Sequence, residues 1–306
     1  MKPRILVIRG GALGDFILTL PAIRLLREAF PAAHLEIIGY RHIAALAEGR
    51  FYADGVRSIE FGPLAGFFAR SGTLDEDLCA YFAGFQQVVS YLFDPDGIFE
   101  ANLRRAGVKH FLSAYVRMDD SQHAAQQLAQ PLQALALYLE DAGATIYPTE
   151  TDQAAAAAFL AGQTAPFRVL HPGSGSPRKN WPLARWRDLI NALLARGENL
   201  LLVGGEADQA TLETLESIFQ GRVRVARDLP LPHLAAILAR AGGFLGHDSG
   251  ISHLAAAVGT PSVLLFGPTD PVVWAPANPQ VRVLIAPGSN LSALSSAEVL
   301  AALPPL

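Results

Sequence analysis

His171-Pro172-Gly173-Ser174-Gly175-Ser176-Pro177-Arg178-Lys179-Asn180-Trp181-Pro182 is the stretch on which the fold of this chain turns. It follows the short strand-like run Arg168–Leu170. It leads into an apolar-periodic run from Leu183 to Arg196. Small residues and one lysine therefore fall where a strand turns into a helix. Backbone N–H groups at a helix start, with an ammonium beside them, form a cradle for an anion. A second turn of this kind is Gly246-His247-Asp248-Ser249-Gly250-Ile251-Ser252-His253-Leu254-Ala255-Ala256-Ala257. Two cradles in one α/β domain predict a ligand that carries a diphosphate.

Outward from these turns the same plan repeats. Strands are predicted at Arg168–Leu170, Leu200–Val203, Val223–Val225, Phe244–Leu245, Ser262–Phe266 and Val281–Ile285. Helices are predicted near Leu183–Arg196, Gln209–Phe219, Leu231–Arg240 and Ile251–Val258, and Ser295-x-x-Glu298 is a capping box for a last short helix. The first half alternates likewise. Ile5–Ile8, Leu35–Gly39, Val56–Ile59, Val88–Leu92 and Lys109–Leu112 read as strands. Helices are expected from the Gly10–Asp15 turn to about Phe30, at His42–Glu48, near Phe99–Ala106, at Gln122–Glu140 and at Asp152–Ala161. Pro21 should kink or restart the first of them. This alternation predicts parallel sheets with helices on both faces. Gln163–Pro166 is the linker candidate. It divides an N-terminal domain, 1–165, from a C-terminal domain, 166–292, with a helix in 293–306 that packs back on the first.

The chain has 306 residues, enough for two α/β domains with their own cores. Hydrophobic residues are 51% and charged residues 17%, a globular rather than a disordered balance. A net charge of −4 gives nucleic-acid binding no support, so an anionic ligand must be met by local positive sites. Cys79 is the sole cysteine, which excludes an intrachain disulfide and fits a reducing, cytoplasmic compartment. Arg9 ends the first apolar run after four residues, unlike a signal peptide. No run reaches the roughly 18 apolar residues of a membrane span. Phe61–Phe85 breaks the rhythm, with five of the sixteen phenylalanines. It reads first as an irregular excursion packing on the sheet, and second as a lid or apolar acceptor surface.

Several residues are candidates for chemistry. Asp15 sits past the first strand, where ligands bind in open α/β sheets, and is either a first-turn helix acid or a general base. Gly10, Gly11 and Gly14 let a substrate or phosphate approach the backbone, and their spacing is not a dinucleotide fingerprint. Lys179 with Ser174 and Gly175 matches a diphosphate but lacks the Lys-Ser/Thr ending of a Walker loop. Asp248, Ser249 and Gly250 either cap the next helix or bind phosphate. His253, one turn on, is either a core residue or a ligand contact. Glu206 follows Leu200–Gly205 and is either a cap or an acceptor for ribose hydroxyls. No cluster has metal-ligand spacing, and no Gly-x-Ser-x-Gly elbow is present.

Taken together the motifs resemble glycosyltransferase family 9, the heptosyltransferases of lipopolysaccharide assembly. The matching residues are Arg9–Asp15 with Leu20-Pro21-Ala22; His171–Pro182; Val203-Gly204-Gly205-Glu206; Asp248-Ser249-Gly250 with His253–Ala257; and Phe266-Gly267-Pro268-Thr269-Asp270-Pro271, in family order along nearly the whole chain. The resemblance implies a GT-B fold, two Rossmann-like domains with parallel sheets facing an interdomain cleft. The first domain would bind the acceptor and the second the donor. It implies inverting, metal-independent transfer, without cofactor, from a nucleotide diphosphate sugar, typically ADP-heptose, to a lipopolysaccharide core or a related cell-envelope glycan. Asp15 would deprotonate the acceptor. Lys179, Ser174, Gly175, Ser249 and Gly250 would hold the diphosphate, with His253 supporting that loop. Glu206 would hold the ribose, Asp248 the donor sugar and Leu229 the base.

The expected partners are the nucleotide sugar and a lipid-linked or oligosaccharide acceptor, with no nucleic acid. The protein is expected to be a cytoplasmic monomer in peripheral contact with the inner membrane. The chain departs from the family in a trimmed acceptor-side region and in Val88–Pro95, where many members carry an Asp-rich strand end. A nucleotide-sugar epimerase and a non-catalytic nucleotide-sugar binding module are the alternatives.

Overall fold

A computed structural model describes Lys2–Leu306. The chain forms two compact units, Met1–Asp119 with Ala124–Ala142, and Asp120–His123 with Gly143–Leu306.

In the first unit the order is β1 (Arg4–Ile8), α1 (Leu13–Ala29), β2 (His34–Gly39), α2 (Arg41–Ala44), β3 (Gly55–Ser58), α3 (Glu76–Ala83), β4 (Gln87–Ser90), α4 (Ile98–Arg105), β5 (Phe111–Ser113) and α5 (Ala124–Ala129). The strands pair in the order β3-β2-β1-β4-β5, all parallel. Leu6, Val7 and Ile8 are wholly buried, as a continuous apolar strand in a parallel sheet must be. The chain winds outward from β1 through β2 to β3, then returns to β4 beside β1. The switch point thus lies between β1 and β4, where an open sheet leaves a crevice past its carboxyl ends.

The excursion that follows β3 is mostly a packing device. Phe67, Phe82 and Phe85 join Leu6, Ile8 and Phe99 in the core, each buried phenylalanine contributing roughly 1.5–3 kcal/mol. Phe61 and Phe68 remain exposed, at 45% and 46%, with Phe68 stacked on Phe99 at 4.7 Å.

In the second unit the order is α6 (Glu150–Phe159), β6 (Phe167–Leu170), α7 (Leu183–Ala195), β7 (Asn199–Gly204), α8 (Gln209–Phe219), β8 (Arg224–Arg227), α9 (Leu231–Leu238), β9 (Gly243–His247), α10 (Gly250–Ala257), β10 (Ser262–Phe266), α11 (Pro271–Trp274), β11 (Val281–Ile285) and α12 (Ser296–Ala302). The sheet order is β11-β10-β9-β6-β7-β8, again parallel. Its switch point lies between β6 and β9, and the loops leaving these two strands are the two cradles read from the sequence.

Five expectations change. The His42–Glu48 helix is a single turn, Arg41–Ala44. The Gln122–Glu140 helix shrinks to Ala124–Ala129 followed by a 3₁₀ stretch, Gln130–Leu135. Pro131 withdraws a backbone donor there, and Ala136 closes the stretch with φ 58°. No restart occurs at Pro21, since α1 continues through it. The segment 293–306 is part of the second unit: Ser295 caps α12, which lies against α7, with Val299, Ala302 and Leu303 in a core that holds Leu189 and Leu193. The change of unit also falls at Ala142/Gly143 rather than at 165. The Ala-rich α6 belongs to the second unit because it packs on α9, with Arg240 Nη2 donating to the Gln153 carbonyl at 3.0 Å.

Candidate functional site

The cradle after β6 is held by a histidine absent from the sequence-derived site. His247 ends β9 and is fully buried. Its Nε2 accepts from the Trp181 N–H at 2.9 Å, which requires Nδ1 to carry the proton and donate to the Gly173 carbonyl at 3.0 Å. One neutral ring therefore joins the two ends of the loop. Burial lowers its pKa to about 4, with the His171 ring opposing the charged form as well. Trp186 stands at right angles to the ring, 5.5 Å away. Inside the loop, Ser174 Oγ lies 2.7 Å from the Ser176 carbonyl and 2.6 Å from Asn180 Oδ1.

Lys179 closes the cradle. Its Nζ lies 2.7 Å from Asp248 Oδ2, which also accepts from the Thr269 hydroxyl at 2.7 Å. The loops after β6, β9 and β10 thus meet at one carboxylate oxygen. Ser249 caps α10, accepting from the Ser252 N–H, so the first amides of an eight-residue helix stand beside the lysine. His253 is buried in α10.

Asp208 supports both strands from behind. It is buried, accepts from the Gly205 N–H at 3.2 Å and lies 4.0 Å from His171 Nδ1. A Cβ on Gly173 would fall 1.6 Å from its Oδ1, so this turn requires glycine. Burial lowers the His171 pKa, partly offset by Asp208 and by the hydrogen bond to Val203. Glu206 is exposed past β7. Leu229 lines an apolar recess of about 80 Å³ with Ala226, Leu234 and Ile251.

In the first unit Asp15 occupies the third position of α1. Oδ2 accepts from the Ala12 N–H at 3.0 Å, the bond expected of a first-turn acid. Oδ1 faces Arg9 Nη2 at 3.9 Å, and 42% of the side chain is exposed. Arg9 is fixed in turn, its Nε donating to Thr19 Oγ1 at 2.9 Å and its Nη2 to the Asp15 carbonyl at 3.2 Å. Gly11 takes φ 92° so that the loop passes Asp15 Oδ2, which a Cβ would approach to 2.9 Å. Arg9 and Asp15 line a cavity of about 310 Å³ with Tyr91, Tyr115 and Met118. Tyr91 follows β4, across the switch point from Asp15. Gly10 and Gly14 lie in and just after the turn.

The structure thus gathers Ser174, Gly175, Lys179, Asp248 and Ser249 on the two loops of one switch point, with Gly250 and His253 in the helix α10 that follows, and places Asp15, Gly10, Gly11 and Gly14 at the other. His247, Thr269 and Asp208 were missed, although each stands within or next to a motif. Tyr91 and Tyr115 carry no local signal. Among the described residues no three His, Cys, Asp or Glu side chains gather as a metal-holding group, and no helix is long and apolar enough to cross a membrane.

The model of the family described as "Glycosyltransferase family 9 (heptosyltransferase)" matches residues 102–300. The chain belongs to glycosyltransferase family 9. It is a glycosyltransferase of the heptosyltransferase type. Among its relatives, lipopolysaccharide heptosyltransferase 1 of Salmonella typhimurium is 26% identical over 97% of this chain and 98% of that protein. The Escherichia coli K12 protein of the same name is 27% identical over the same shares. Solved structures agree in fold. The family 9 glycosyl transferase of Veillonella parvula superposes with a TM-score of 0.82 at 21% identity, covering 99% of this chain and 96% of that one. An E. coli ADP-heptose lipopolysaccharide heptosyltransferase II gives 0.77 at 18%, covering 98% and 97%. An E. coli heptosyltransferase with ADP gives 0.71 at 22%, covering 97% of each chain. The fold class is GT-B, as the sequence implies.

Proposed function

We propose that this enzyme transfers heptose from ADP-heptose to a growing lipopolysaccharide core, with inversion and without a metal ion. The observation that carries the reading is the paired use of the two switch points. One presents a half-exposed carboxylate, Asp15, in a cavity. The other presents an ammonium and helix-start amides on loops tied together by Asp248. The names of the full-length relatives supply the sugar and the glycan, and the neighbour solved with ADP supplies the nucleotide.

In this reading Asp15 accepts the proton of an acceptor hydroxyl as its oxygen bonds to the anomeric carbon. The bond from that carbon to the diphosphate breaks, and ADP leaves with the electron pair. Lys179 and the amides of Ser249 and Gly250, with Ser174 and Gly175, balance the charge that grows on the diphosphate. His253 supports that loop. Asp248 holds donor sugar hydroxyls, Glu206 the ribose and Leu229 the base. Exposed Phe61 and Phe68 suit shallow contact with the inner membrane that carries the acceptor, on its cytoplasmic side.

The test is a transfer assay with ADP-heptose and a heptose-free lipopolysaccharide core, reading released ADP and the heptosylated product, in excess EDTA. Matched ADP and product, undiminished by chelator, are expected. Free sugar isomer without transfer indicates epimerase chemistry, and binding without turnover indicates a binding module. A loss of rate restored by magnesium defeats the metal-free reading.

A further inference from the structure

The cavity beside Asp15 contains a group that the mechanism above does not use. Tyr91 is 2% exposed, and its hydroxyl has no hydrogen-bond partner among the described residues. A buried hydroxyl left unpaired is costly, and native interiors rarely tolerate one. The ring itself is well placed: the Arg9 guanidinium carbon lies 5.9 Å from its centroid, and Tyr91 lines the same cavity as Asp15. The cavity has a second unusual wall. Tyr115 lines it and packs against Phe93 at 4.9 Å, and these two rings are 43% and 67% exposed. Phe93 and Tyr115 leave the sheet from β4 and β5, adjacent strands, so the aromatic wall and Tyr91 share one edge of the crevice.

A cavity of about 310 Å³ is at the lower end of the range for small-ligand sites. Its lining is specific: the Arg9 cation and the Asp15 carboxylate come from the β1 side, and Tyr91, with its unpaired hydroxyl, and the exposed Tyr115 ring come from the β4 and β5 side. Rings of this kind pack on the C–H face of a sugar, and the polar groups meet the sugar's oxygens. An acyl chain would leave the Tyr91 hydroxyl without a polar partner.

We propose that Tyr91 is a specificity-determining residue for the acceptor, pairing its hydroxyl with an oxygen of the acceptor sugar while Tyr115 and Phe93 pack against the sugar's face. The assignment rests on the transferase reading above, with the acceptor in this cavity, but not on Asp15 being the base. Tyr91 touches substrate without moving a proton. Its role is to choose which sugar presents a hydroxyl to Asp15.

Tyr91→Phe keeps the ring against Arg9 and removes only the oxygen. Calorimetry on the full chain with ADP present, using de-acylated, heptose-free lipopolysaccharide core as the probe, should show acceptor affinity about tenfold weaker, the loss of one hydrogen bond. Affinity for ADP alone should be unchanged. The melting temperature should be equal to or above the parent's, because in the free protein that hydroxyl is unpaired. Tyr115→Leu, on an exposed side chain, should weaken the same probe without altering ADP binding. Parental acceptor affinity in Tyr91→Phe overturns the assignment, and so does a lowered melting temperature with parental affinity, which would mark a purely structural hydroxyl. Binding is read without turnover, so a failure of Asp15 as base leaves this result standing. A parent protein that ignores the core probe refutes the acceptor reading itself.

Discussion

The two switch points are built in opposite ways. In the second unit nearly every polar atom near the cradle already has a partner: Lys179 with Asp248, Asp248 with Thr269, His247 with both ends of its loop. In the first unit the carboxylate is half-exposed, its second oxygen stands 3.9 Å from Arg9, and the Tyr91 hydroxyl in the same cavity is unpaired among the described residues. A preset cradle suits a ligand whose charged part never varies, such as a diphosphate. An incompletely paired cavity leaves the choice of partner to the ligand, as a site for variable glycans would.

The comparison breaks first at Asp15. Asp15→Asn retains an oxygen to accept from Ala12 N–H and so preserves the start of α1. The transfer rate should fall by roughly 10²–10⁴-fold, with donor affinity and melting temperature near the parent's. A near-parental rate in a steady-state assay would reduce Asp15 to a helix cap and leave the first unit without its base.

Lys179→Ala tests the preset side. ADP affinity, measured by calorimetry, should drop by about ten- to a hundredfold, the range for a charge-assisted hydrogen bond, while adenosine binds as before. Equal losses for the two ligands would mean that the lysine organises the loop through Asp248 rather than meeting phosphate.

The smallest effect is on stability, and it sharpens the contrast. His247 is neutral when folded and titrates near 4, against an ordinary value of 6.5. Between those values the unfolded chain binds the proton and the folded chain does not. Stability is therefore complete above about pH 6.5 and is lost on acidification, by about 2 kcal/mol at pH 5 for one such residue. His171 acts in the same direction. Thermal melts of the parent should fall from pH 7 to pH 5, and His247→Gln should show a shallower dependence. A parent whose melting temperature is flat over this range would contradict the neutral clamp.

Much of this molecule was legible because its information is local. Ile5–Ile8 and Val263–Phe266 are short, unbroken apolar runs bounded by turn residues, a pattern that suits a buried parallel strand. Ser295 and Glu298 predicted their capping box from spacing alone, and both bonds are present. The cradle residues were legible because a strand, a Gly-rich turn and a helix start are contiguous in sequence. What failed was non-local. The 122–140 periodicity outweighed Pro131, which breaks it. The place of α12 depends on which hydrophobic face α7 leaves open, which no spacing within 293–306 encodes. Tyr91 and Tyr115 became site residues only through the strand order, which sets β4 beside β1 and β5 beside β4. His247 was in plain view inside the second glycine-rich motif, but its role depends on a carbonyl 74 positions away.

Gly173 and Asp208 have a meaning for sequence comparison as well as for this fold. The space a methyl group would need on the glycine is already occupied by the acid's carboxylate. The two positions are therefore one character written in two places. A homologue that carries any side chain at the first must shrink or displace the acid at the second. Along a lineage a side chain should appear at the first only after or with a smaller residue at the second, and counting them as two independent sites would overstate how much a similarity score has learned.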